Sequence, residues 1–123
     1  MPVTPVMPPA LRVAVATCLL LAGLNTIAFL SSLGHAISGG IRSAVGALLV
    51  LTAVVLFLAG AIGLRRRRRV ALLAIICAIA SVSVVMSAAG INRGFWVAQM
   101  LHAITLGAAL FSWPHLGTSA VGA

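Results

Sequence analysis

Of 123 residues, 63% are hydrophobic and 7% charged, where a soluble domain runs at roughly 45–50% apolar and about 25% charged. Every formal charge is an arginine, the net charge is +8, and there is no Asp, Glu, Lys or Tyr. Such a chain cannot cover itself with a mixed charged surface, and without carboxylates it has no general acid–base pair of the usual kind.

In chain order, the sequence begins with Pro2, Pro5, Pro8 and Pro9, which disfavour helix. Four apolar stretches without formal charge follow, at about 13–31, 43–64, 70–91 and 95–113. Each approaches the ~20 residues needed to cross about 30 Å of hydrocarbon. Backbone in lipid must satisfy its own hydrogen bonds, so each stretch is expected to be a helix. Between the first two, residues 32–42 hold Gly34, Gly39 and Gly40 and read as a flexible loop. Arg65, Arg66, Arg67, Arg68 and Arg69 form a tight charged turn, Asn92-Arg93-Gly94 a polar one, and Pro114 stops the last helix. The expected fold class is all-α: a single domain forming an up-down-up-down, short-looped four-helix transmembrane bundle.

Arginine placement orients the bundle. With four crossings, Arg12 and the five-arginine turn share a side, opposite Arg42 and Arg93. The positive-inside rule then puts both termini and the turn in the cytoplasm, and the unequal loops argue against dual topology. The arginine run is expected to fix topology and to meet anionic lipid headgroups. A short turn held against a bilayer offers little surface to nucleic acid, so no nucleic-acid partner is expected. Cys18 and Cys77 lie inside apolar stretches, form no CxxC motif and read as small packing residues.

Small residues suggest helix seams, because close backbone approach holds helices together in lipid. Ala14, Cys18, Ala22 and Thr26 make a four-residue stripe on the first helix. The pairs Ala59/Gly63, Ala74/Ala78 and Ala103/Gly107 do the same on the others.

Polar residues within the spans gather on one side of the midplane. Asn25 stands 13 residues past Arg12, which is about 20 Å along a helix. Ser83 and Ser87 are past the middle of the third helix, and Gln99 and His102 are near the start of the fourth. The cytoplasmic half is apolar apart from Thr17 and Ser112 near its edge. Asn25, Ser83, Ser87, Gln99 and His102 are therefore the candidate cluster, either joining helices by hydrogen bonds or lining a pocket for a lipophilic ligand. Gln99 and His102 share a helix face, and Ser83 or Ser87 is the expected donor from the third helix. No cofactor is expected: bis-histidine haem needs two histidines at one depth, and His102 is the only one inside a span.

The stretch Ala59-Gly60-Ala61-Ile62-Gly63-Leu64, the five arginines and Val70-Ala71-Leu72-Leu73-Ala74 resemble the middle of small four-helix membrane proteins of high-GC bacteria, DoxX-like in the broad sense. That resemblance covers roughly residues 45–90. It implies a bacterial inner-membrane bundle and no particular chemistry. Three functions fit the residues: a non-enzymatic accessory or scaffold subunit within a homo-oligomer or larger membrane complex, a holin-like self-assembling pore, and a binding protein or carrier for a lipophilic ligand.

Overall fold

A computed structural model describes residues 8–89 and 95–117. The expected turn at Asn92-Arg93-Gly94 and the prolines Pro2 and Pro5 lie outside them. The chain is an all-α four-helix bundle: α1 is Pro9–Ser38, α2 Gly40–Arg65, α3 Val70–Ala89 and α4 Phe95–Phe111, followed by a short 3-10 turn at Trp113–His115. Three helices are long and apolar enough to cross a membrane. At 17 residues, α4 is shorter and extends about 26 Å.

The loop expected at residues 32–42 is instead helix interrupted at a single residue, Gly39. Serine hydroxyls in and beside this stretch bond back into the helix: Ser31 donates to Ile27 O, Ser32 to Phe29 O and Ser38 to Gly34 O. That is how serine is accommodated inside a helix. The reversal falls on Gly40, whose φ of +83° favours glycine. At the other end Pro9 does not prevent helix. It occupies the first turn of α1, where the missing N–H costs nothing.

The bundle closes as a ring, with α1 against α2, α2 against α3, α3 against α4 and α4 against α1. Buried positions recur at alternating spacings of three and four. They include Leu11, Ala14, Cys18, Leu21 and Asn25 on α1; Val50, Ala53, Phe57, Gly60 and Leu64 on α2; Ala71, Ile75, Ala78 and Val82 on α3; and His102, Thr105 and Ala109 on α4, with Ser112 just past its end. Spacings of this kind form the packing seam between neighbouring helices of a bundle. They also explain why the expected α1 stripe is only partly right. Steps of four residues gain about 40° each on the helix, so Ala14, Cys18 and Ala22 are buried while Thr26 has turned outward and Asn25 holds the inward position.

The other expected seams are redistributed. Ala59 is exposed, and Gly60 and Gly63 make the close approach to α3. Ala78 is buried and Ala74 half-buried, whereas Ala103 and Gly107 face outward. Cys18 is buried, but Cys77 is exposed and packs no core.

The arginine turn is a built structure. Arg68 N–H donates to Gly63 O at 2.8 Å and Arg67 N–H to Leu64 O at 2.9 Å, so the carbonyls ending α2 are paired in a Schellman arrangement. Arg67 takes the left-handed position, with φ of 56°. The C-terminal segment closes over this turn: Gly117 N–H donates to Arg67 O, Arg69 Nε donates to Leu116 O at 3.2 Å, and the Arg69 guanidinium lies 4.4 Å from the Trp113 ring centre.

Candidate functional site: a polar chain beside an apolar cavity

The candidate residues enter the bundle from three helices, and they do not act as one set. Ser83 on α3 and Gln99 and His102 on α4 form a continuous chain. Gln99 Nε2 donates to Ser83 Oγ at 3.4 Å, and Gln99 Oε1 lies 2.9 Å from His102 Nδ1. The Gln99–His102 pair follows from their separation of three, which stacks side chains on one face. Ser83 accepts here instead of donating.

Asn25 and Ser87 stand apart from that chain. Asn25 is buried, but its Nδ2 donates to Leu21 O of its own helix at 2.8 Å. Ser87 is exposed near the end of α3.

His102 is the most enclosed of the five, with 3% of its surface exposed. Its ring stacks on Phe57 of α2, centres 6.1 Å apart and planes 20° from parallel. This contact reaches across the bundle and was not foreseen from sequence, since nothing sets Phe57 apart from its apolar neighbours. His102 Nε2 is buried and has no hydrogen-bond partner among the described residues. Burying such a group unpaired costs about 1–3 kcal/mol.

A cavity of about 270 Å³ lies beside this chain, lined by Leu21, Asn25, Val82, Met86, Leu101 and His102 among others. Asn25 thus shares a wall with His102, although no hydrogen bond joins them. A second cavity, about 660 Å³, lies between α2 and α3 near the α1–α2 reversal, with Arg42 and Ser43 at one end and apolar side chains elsewhere.

Two buried polar residues, Thr105 on α4 and Ser112 just past its end, belong to neither cavity. Thr105 and Ser112 each donate to the carbonyl four residues back, Leu101 O and Ala108 O, both at 2.8 Å. Among the described residues, no group of three or more His, Cys, Asp or Glu side chains comes together. The five arginines form the connection between α2 and α3, remote from the cavity beside His102. No family model, curated protein or solved structure matches the chain.

Proposed function

We propose that this chain is a non-enzymatic, four-pass protein of a bacterial inner membrane that binds a small lipophilic ligand between α1, α3 and α4. One observation carries the ligand reading: a 270 Å³ cavity bordered by two buried polar side chains, Asn25 and His102, amid otherwise apolar walls. Ligand sites are mostly apolar pockets with a few placed polar groups, and this one is near the small end of their range. The fourth pass is α4, whose ~26 Å length spans hydrocarbon with slight thinning of the bilayer. With the arginine turn and both termini cytoplasmic, the cavity opens in the outer leaflet, where a lipophile dissolved in the bilayer can reach it.

Filling the cavity tests this reading. Ala98 lines it and is half-buried, so Ala98→Phe should leave a folded chain that no longer takes up 4-butylanisole in nanodiscs, as followed by ligand-observed NMR. Equal uptake by the wild type and this variant would remove the cavity as a site.

The reading as a subunit of a homo-oligomer or larger complex is favoured by α4. Ala103 and Gly107 present a smooth outward face, with nothing near Gly107 to limit close approach. Scaffold and ligand site are compatible on one bundle, because this face and the cavity use different sides of α4.

A further inference from the structure

The hydrogen-bond direction along Ser83–Gln99–His102 decides what His102 offers a ligand. Gln99 gives its amide N–H to Ser83 Oγ, which leaves its Oε1 facing His102 Nδ1. A carboxamide oxygen only accepts, so the ring proton belongs on Nδ1 and Nε2 carries a lone pair. This assignment follows from the network, as ring tautomers generally must. Stacking on Phe57 holds the ring plane, so Nε2 cannot easily turn toward another partner. Asn25, bordering the same cavity, uses Nδ2 on Leu21 O and retains a second N–H. Among the described residues, the remaining wall is apolar and no arginine lines it.

The geometry points to a neutral lipophilic phenol as the ligand of this cavity, its O–H donating to the His102 Nε2 lone pair. The inference rests on the ligand-binding reading above and adds the chemical class. A phenolic hydroxyl both donates and accepts, matching the acceptor at His102 and the spare N–H at Asn25. Among the described lining residues an anion finds no cation. A carbonyl compound, such as an oxidised quinone, would set its lone pairs against that of Nε2. Size agrees: a cavity of about 150 Å³ holds benzene, so 270 Å³ takes one substituted ring. Nε2 itself has almost no exposed surface, so a hydroxyl reaches it only when side chains of the wall give way, and Met86 is a flexible member of that wall.

The test uses the full chain in nanodiscs with three probes: 4-butylphenol, 4-butylanisole (the same shape without the donor) and 1-octanol (a hydroxyl without the ring). Histidine labelled with ¹⁵N reports on Nε2 directly. Butylphenol should bind about 10-fold more tightly than butylanisole and move the His102 Nε2 resonance, which butylanisole should leave in place. His102→Phe keeps a ring against Phe57 and should equalise the two affinities. Equal binding of both aromatic probes to the wild type, with Nε2 unmoved, would overturn the hydroxyl assignment and leave the cavity reading intact. Binding of neither, by contrast, would remove both. If octanol matched butylphenol in affinity and in its effect on Nε2, the aromatic assignment would be wrong. A free protein whose Nε2 already shows a hydrogen-bonded shift would equally defeat the proposal, since a buried water would then hold the position. Should His102→Phe fail to fold, the wild-type comparison decides alone.

Discussion

Replacing Gly63 by alanine tests how closely α2 and α3 approach. A Cβ there would meet the Ala71 Cβ at 2.8 Å and the Ala71 Cα at 3.5 Å, where ordinary contact begins at 3.4 Å. The Ala71 methyl cannot rotate away, because Cβ is fixed by the backbone. The helices must part locally by about 0.6 Å, enough to forfeit a quarter to a half of each nearby dispersion contact. Overpacking of this kind costs about 1–3 kcal/mol. Gly→Ala also carries an intrinsic helix gain of up to about 1 kcal/mol, so the single variant would mislead. Gly23→Ala cancels that term: Gly23 is exposed within α1 and a Cβ there meets nothing within 4 Å. The difference between the two variants should therefore be about 1–3 kcal/mol against Gly63→Ala. Reversible unfolding in mixed detergent, followed by circular dichroism, measures it. Equal stabilities would mean that α2 and α3 do not touch at Gly63, and the seam described above would be wrong.

Two further outcomes concern the arginines. Arg69→Ala removes the hydrogen bond to Leu116 O and the stacking on Trp113, together about 1–2 kcal/mol. It should therefore expose the segment after Phe111 to protease, while Arg68→Ala should not; equal cleavage of the two would refute the clasp. Reporter fusions after Ala123 and within the α1–α2 reversal should place the C-terminus in the cytoplasm and the reversal outside. Replacing all five turn arginines by neutral residues leaves Arg12 against Arg42 and Arg93 and should misorient part of the population. An external C-terminus in the wild type would overturn the orientation.

Helix number and class were legible in the sequence because charge-free stretches of near-spanning length leave the backbone few choices. The inward faces were not. In a soluble bundle the apolar stripe marks the core; here Leu20 and Leu21 are chemically alike, yet one is exposed and the other buried. Residue size and polarity mark only some of the inward positions: Phe57, Leu11 and Ile75 are buried while Ala59, Ala103 and Gly107 are exposed. That is why Ala14, Cys18, Ala22 and His102 could be placed from sequence, whereas Phe57 and Ile75 could not. The long α1–α2 hairpin was misjudged for a related reason: glycine and polar residues signal loops in water, but here Gly34 sits within the helix, and the hydroxyls of Ser32 and Ser38 bond back into it.

The candidate cluster separated along the same physical line. Gln99 and His102 could be paired from their spacing alone, since a helix sets their relation. Whether Asn25 would join them depended on the gap between α1 and α4, which no local rule supplies. With Nδ2 returned to Leu21 O, Asn25 adds no cross-helix bond, so it does not fix the register of α1 against α4. Its burial then needs another reason, because leucine would fill that position at no polar cost. The cavity it shares with His102 provides one: both side chains keep hydrogen-bonding capacity that the bundle itself leaves unused. A purely structural network would more naturally close on itself. Two buried polar residues with spare capacity, both bordering one apolar space, are what binding of a hydroxyl there would use.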